Sequence, residues 1–158
     1  MHEYRTRRRI EFSDTDAGGL VHFARFFVFM EIAEHELLRA IGANAGAERQ
    51  ADGRLVGWPR VASSCEFLSP ARFGEELDIH VQVVRVGRTS LTFGFALSRD
   101  GTPVALGRTT TVCAVLDAPD GVQPIPIPEP LRARLEGAPE GAAAAASGAP
   151  GRSEGAAG

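Results

Sequence analysis

Two stretches of this chain alternate strictly between apolar and polar positions. Leu77, Ile79, Val81 and Val83 alternate with Asp78, His80 and Gln82; Leu91, Phe93, Phe95 and Leu97 alternate with Thr92, Gly94, Ala96 and Ser98. A period of two puts the apolar set on one face of an extended chain, so both stretches predict half-buried strands. From Phe23 to Ile41 the period changes. Phe23, Phe26, Phe27, Met30, Ala33, Leu37, Leu38 and Ile41 share one broad stripe at helical spacing, which predicts an amphipathic helix that Gly42 stops. Val104 to Leu116 predicts a further long strand. Pro59 to Leu68 predicts another, and Arg7 to Ser13 a first one. Gly87-Arg88-Thr89 and Asp100-Gly101 supply turns, the second a hairpin signal. Ala43 to Gly57 reads as a loop, and Pro124, Pro126, Pro128 and Pro130 predict an extended exit. One strand, one long apolar helix and four strands in antiparallel order give an α+β class, with a curved antiparallel sheet wrapped around one long central helix.

The 158 residues suit one domain. Gly137 to Gly158 contains no large apolar side chain, so it cannot offset the entropy of ordering and is expected to be a disordered tail behind a folded domain of residues 1–136. The net charge of −3 implies no nucleic-acid partner, and the run Arg5, Arg7, Arg8, Arg9 reads as a solvated strand face. No apolar run approaches the roughly 20 residues a membrane-spanning helix needs, so no membrane insertion is expected. MHEYRTRRRIEF has no apolar core of a signal peptide, and the chain is read as cytoplasmic. Cys65 and Cys113 lack metal-ligand spacing and the four histidines are scattered, so no metal site is expected and the thiols read as free and buried.

The chemistry concentrates in SDTDAGGLVHFARFFVFMEIAEHELLRAIG, Ser13 to Gly42. Asp14 and Asp16 precede a glycine-rich bend, Gly18-Gly19, then His22 and the helix. On residue type alone both aspartates suit turns or helix caps. A carboxylate in such a bend also lies where the backbone donors and dipole of a helix N-terminus favour negative charge. On a helical wheel Glu34 falls inside the apolar stripe, Glu31 at its edge, and Glu36 on the side where a solvated charge is expected. A buried carboxylate must be paired, hydrogen-bonded or neutralised, and Arg60 or Arg72 are the partners considered for Glu34.

Asp14-Thr15-Asp16-Ala17-Gly18-Gly19-Leu20-Val21-His22 and the Phe-rich helix resemble the signature of the 4-hydroxybenzoyl-CoA thioesterase family of hotdog-fold proteins, including the YbgC-like acyl-CoA thioesterases. Phe67 to Leu77, Gly87 to Ser90 and Ile125 to Pro128 extend the resemblance over residues 5–130. It implies a sheet rolled around one helix, dimers or tetramers, and active sites between subunits. It makes Asp16 the nucleophile or the base that activates water, and the backbone N–H of Phe23 the donor to the thioester oxygen. Asp14 keeps its structural reading. Gly19 belongs to the substrate-binding bend, Glu31 faces the acyl pocket, and Arg88, Thr89 and Ser90 meet the phosphates of coenzyme A. Many relatives have Tyr-His where this chain has His22-Phe23. The family histidine's role therefore does not transfer, and His22 is left to orient Asp16, shuttle a proton or make a structural hydrogen bond.

The implied function is acyl-CoA thioesterase, with coenzyme A as part of the substrate and no separate cofactor. A hydratase or dehydratase on the same fold would use Asp16 and His22 as an acid/base pair, but the dehydratases' histidine-proline pattern is missing. A non-catalytic acyl-CoA-binding module would need no carboxylate at the carbonyl. Hydroxybenzoyl, phenylacetyl, dihydroxynaphthoyl and medium-chain fatty acyl groups are all compatible with the sequence, since fold does not set substrate.

Overall fold

A computed structural model describes residues 2–44 and 46–137. The expected tail lies, from residue 138 on, outside the described residues. The elements in chain order are strand β1 (Glu3–Arg9), a 3-10 turn (Phe12–Asp14), helix α1 (Phe23–Ala40), β2 (Glu48–Arg49), β3 (Leu55–Gly57), β4 (Arg60–Phe67), β5 (Glu76–Val86), β6 (Ser90–Arg99), β7 (Thr102–Val112), β8 (Ala114–Val115), β9 (Gln123–Pro124) and α2 (Glu129–Glu136). Five strands form one antiparallel sheet in the order β1-β5-β6-β7-β4, and a second small sheet runs β2-β3-β8-β9. Leu77, Ile79, Val81 and Val83 of β5 and Leu91, Phe93, Phe95 and Leu97 of β6 are buried, as their period demands.

α1 lays Phe26, Phe29, Met30, Ala33, Leu37 and Leu38 onto that core. Phe23, expected on the stripe, is 61% exposed at the helix start, while Phe29 takes a buried place. Gly42, at φ +69°, ends the helix, and Ala43 N–H returns to Leu38 O at 2.8 Å. A positive φ of this kind suits glycine. Between β6 and β7, Asp100 (φ 48°) and Gly101 (φ +79°) make the expected tight hairpin.

Three local expectations fail for physical reasons. The first strand starts earlier than Arg7–Ser13 predicted, at Glu3, and stops at Arg9. After Arg9 the chain leaves the ladder because Asp14 Oδ2 accepts the Glu11 N–H at 2.9 Å and closes a 3-10 turn, a local bond that competes with the sheet. The loop expected over Ala43–Gly57 contains β2 and β3, too short for a periodic signal. The exit is extended through Pro124 and Pro126 to Pro128, but not at Pro130. Pro130 sits in the first turn of α2, where its missing N–H costs nothing, and Leu135 of that helix is fully buried.

Arg5, Arg7 and Arg9 do face solvent, but Arg8 points inward and pairs with Glu36 at 2.9 Å. Glu36 is therefore not the fully solvated charge its wheel position suggested.

The core has little slack where α1 crosses the sheet. A Cβ added at Gly107 of β7 would collide with Sδ of Met30, and Met30 is fully buried with nowhere to move. Gly107→Ala is therefore expected to lower stability by about 1–3 kcal/mol through overpacking, measured by urea denaturation. A midpoint equal to wild type would contradict this packing.

Candidate active site

The segment from Asp14 to His22 folds into a small hairpin before α1. Thr15 and Val21 pair as an antiparallel bridge, and Leu20 bridges Arg72. Asp16 N–H donates to Leu20 O at 2.8 Å, and Gly19, at φ +73°, turns the chain and donates to Asp16 O at 3.0 Å. Oδ1 of Asp16 accepts the N–H of Gly18 at 2.8 Å and that of Leu20 at 3.3 Å. Its other oxygen has no hydrogen-bond partner among the described residues, and the side chain lies in an exposed position. One carboxylate oxygen is thus anchored and the other is available for chemistry.

Phe23 is the first residue of α1. Among the described residues nothing accepts its N–H, which belongs to the unsatisfied, electropositive end of the helix. Asp16 and Phe23 line the same open cavity of about 410 Å³. Its walls are apolar, from Leu20, Val21, Phe26, Phe67, Leu68 and Ala71, and the Phe26 and Phe67 rings lie 5.3 Å apart. The stretch Phe67–Ala71 was quoted above only as supporting sequence. Its place in this wall is a tertiary fact, made by the end of β4 meeting the hairpin.

His22 does not contact Asp16. It is the N-cap of α1, with Nδ1 accepting the Ala24 N–H at 3.2 Å and its ring 4.5 Å from that of Phe23. A ring nitrogen used this way leaves the proton of the neutral ring on Nε2. Of the roles left to it, the structural hydrogen bond is the one observed.

Asp14 is buried and bonded on all sides. Oδ1 takes the guanidinium of Arg25 at 2.6 and 2.7 Å, Oδ2 takes Glu11 N–H, and its backbone oxygen accepts His22 N–H at 2.8 Å. Its structural reading matches this geometry.

Glu31 does not reach this cavity within one chain. It joins Arg60 at 3.0 Å, and the other arm of the same guanidinium holds Glu34 at 3.0 Å. Thr109 Oγ1 also donates to Glu34, at 3.1 Å. Of the two partners considered for Glu34, Arg60 is the one found. These groups border a second, more closed cavity of about 200 Å³, with Trp58, Leu38 and Leu91, roofed by Leu131 and Leu135 of α2. Burial pushes the Glu34 carboxyl above its usual range, against the opposing pull of Arg60.

Arg88, Thr89 and Ser90 also stand apart. Their turn closes through Gly87 N–H to Ser90 O at 2.7 Å, and Arg132 of α2 donates to the carbonyls of Gly87 and Arg88. Arg88 itself is exposed. Ser90 opposes Val112 beside the Arg60–Thr111 pair, whereas Phe67 opposes Ala105. Six residues of β7 separate those ends, about 20 Å along the strand. Within one chain the basic turn and Asp16 therefore occupy opposite ends of the sheet.

Among the described residues no His, Cys, Asp and Glu cluster could hold a metal ion, and no helix is long and apolar enough to cross a membrane.

An anchored carboxylate and a free helix N-terminal N–H thus share one apolar cavity. Residues 10–135 match the family model described as "Thioesterase-like superfamily". A 1,4-dihydroxy-2-naphthoyl-CoA hydrolase from Thermosynechococcus vestitus is 31% identical over 135 residues, covering 85% of this chain and 89% of that protein. The acyl-CoA thioester hydrolase YbgC of Escherichia coli is 31% identical over 85 residues, 54% of this chain and 61% of its own. The crystal structure of a hypothetical protein from Thermus thermophilus superposes with a TM-score of 0.73 at 28% identity, covering 85% of this chain and 95% of that one. The chain belongs to the thioesterase-like superfamily, and it is an enzyme of the thioester-hydrolase class.

The raised Glu34 titration has a defined sign. A carboxyl whose folded pKa lies above its unfolded value contributes stability below that unfolded value, near 4.5, and loses it as pH rises through the folded pKa. Urea denaturation between pH 4 and 7 is expected to show this loss in wild type and not in Glu34→Gln. Parallel pH profiles for the two proteins would contradict it.

Proposed function

We propose that this enzyme hydrolyses an aromatic acyl-CoA thioester to the free acid and coenzyme A, with Asp16 and the Phe23 N–H as its catalytic groups. The observation that carries this reading is their presence on one apolar cavity. The attacking oxygen comes from water, activated by the free Asp16 oxygen, or from that oxygen itself with water cleaving the resulting anhydride; both routes pass through Asp16. As the carbonyl carbon becomes tetrahedral, charge collects on its oxygen. The Phe23 N–H and the helix dipole stabilise it there, a donor of this kind contributing about 3 kcal/mol. The C–S bond then breaks and the thiolate takes up a proton. The engagement of His22 Nδ1 in capping argues against the hydratase alternative, which needed His22 beside Asp16.

Aromatic acyl groups are favoured by the phenylalanine walls and by the name of the 31%-identical relative, a hydrolase of 1,4-dihydroxy-2-naphthoyl-CoA. 4-Hydroxybenzoyl-CoA belongs to the same substrate class. Coenzyme A itself supplies no cofactor chemistry; it leaves as the thiol.

The site is completed in a dimer. The two edges of the large sheet differ. β1 carries outward arginines, which protect an edge, while β4 exposes Val61 (60%) and Phe67 (50%). Antiparallel pairing of two β4 edges about a two-fold axis sets the Arg60 end of one copy against the Phe67 end of the other. That brings Arg88, Thr89 and Ser90 of the second copy toward Asp16, where a forked guanidinium suits the phosphates of coenzyme A. Glu31 of the second copy approaches the acyl end of the cavity by the same operation.

Thiol release over a panel of aromatic and straight-chain acyl-CoAs tests the chemistry. Asp16→Asn is expected to lower turnover at least about 100-fold while remaining folded, and near-wild-type turnover would remove Asp16 from the mechanism. Sedimentation tests the assembly. Wild type is expected at twice the chain mass or a multiple of it, and Val61→Asp is expected to shift toward monomer with parallel loss of activity. An active monomer would rule out the shared site.

A further inference from the structure

We infer that Arg25 is a positioning residue for this site, acting through Asp14; the inference rests on the thioesterase reading above. Arg25 is the third residue of α1 after its N-cap, His22. A cation there opposes the positive end of the helix dipole, and an acidic or amide side chain is what that position ordinarily favours. The helix gains nothing from it locally, so the reason lies in its partner.

Arg25 Nε and Nη2 both reach Oδ1 of Asp14, at 2.7 and 2.6 Å, and the guanidinium carbon sits 6.0 Å over the Phe29 ring. Asp14 is only 3% exposed and joins three segments. Its Oδ2 takes Glu11 N–H from the 3-10 turn, its backbone oxygen takes His22 N–H from the helix cap, and Oδ1 takes Arg25 from the first helical turn.

Asp16 lies two residues beyond Asp14, and Phe23 lies one beyond His22. The ion pair thus ties the segment that carries the carboxylate to the helix turn that carries the oxyanion donor. The spacing between the two catalytic groups follows the geometry of that tie. Arg25 is about one-third exposed while Asp14 is buried, so loss of Arg25 leaves a buried carboxylate with fewer partners, and the variants' folding is read beside their turnover. A planar fork packed over an aromatic ring contributes direction. Misplacement of reacting groups by about 1 Å costs on the order of 100-fold in rate.

The test uses the full chain, thiol release from the best-cleaved acyl-CoA, and three variants: Arg25→Gln, Arg25→Lys and Asp14→Asn. Arg25→Gln and Asp14→Asn are expected to lower kcat about 10- to 100-fold with KM changed less than about 3-fold, at wild-type circular dichroism. Arg25→Lys is expected to recover part of the loss, because it keeps the charge without the fork. The double variant Arg25→Gln/Asp14→Asn is expected to be no slower than the worse single, since both break one tie.

A kcat for Arg25→Gln within 2-fold of wild type, or a loss confined to KM, overturns the inference. If Arg25→Gln does not fold, Arg25→Lys decides alone: a lowered kcat at unchanged KM supports the tie, and a wild-type kcat overturns it. A wild type that cleaves no thioester removes the thioesterase reading and this inference with it, an outcome distinct from an active wild type with indifferent variants.

Discussion

The contact on which the rest depends is the burial of one helix stripe against one sheet face. Phe26, Phe29, Met30, Ala33 and Leu37 of α1 cover the inner rows of β5, β6 and β7, and Gly107 leaves room for Met30 to lie close to the sheet. Burying such side chains contributes roughly 1.5–3 kcal/mol each for the larger ones, more than an exposed ion pair does. Because the stripe begins at Phe26, the first turn of α1 projects past the core. The free Phe23 N–H is left at the cavity, beside the hairpin that carries Asp16. The proposed catalytic arrangement follows from where the helix stops being buried.

The charged groups divide between exposed and enclosed positions. Asp16 is exposed and held by two backbone donors in a glycine turn. Glu34 is buried, shared between Arg60 and Thr109, and its carboxyl is pushed up by desolvation. Replacing a buried ion pair with apolar groups is often neutral or stabilising, so a cluster such as Glu31–Arg60–Glu34 is weak evidence for a purely structural role. Its cavity, roofed by α2, lies at the end of the sheet that a two-fold across β4 would deliver to the second copy's Asp16.

Much of the fold was legible in the residues. The period of two fixed β5 and β6, the helical stripe fixed α1 to within a residue, and Asp100-Gly101 marked the hairpin. The misses share one cause. The 3-10 turn at Phe12–Asp14, the short strands β2 and β3, and helix α2 are each shorter than the window a period needs. Asp14's side-chain bond, backbone pairing and the burial of Leu135 decided them. A helical period is read over roughly 11 residues or more and strand alternation over about four or more.

For the site, sequence by itself determined only which residues were candidates. A carboxylate in a glycine bend before an amphipathic helix made Asp16 a candidate, and only the motif's resemblance to the thioesterase family singled it out and added the N–H of Phe23. Only the tertiary structure decided how these groups are arranged. It turned His22 into a cap, gave Glu34 to Arg60, walled the cavity with Phe67 and Leu68, and set the basic turn at the end of β7 away from Phe67, about 20 Å along the strand. Residue type and spacing encode what a group can do and its immediate backbone geometry. Which distant side chain it meets is fixed by strand order and register, and those are settled by the packing of the whole sheet.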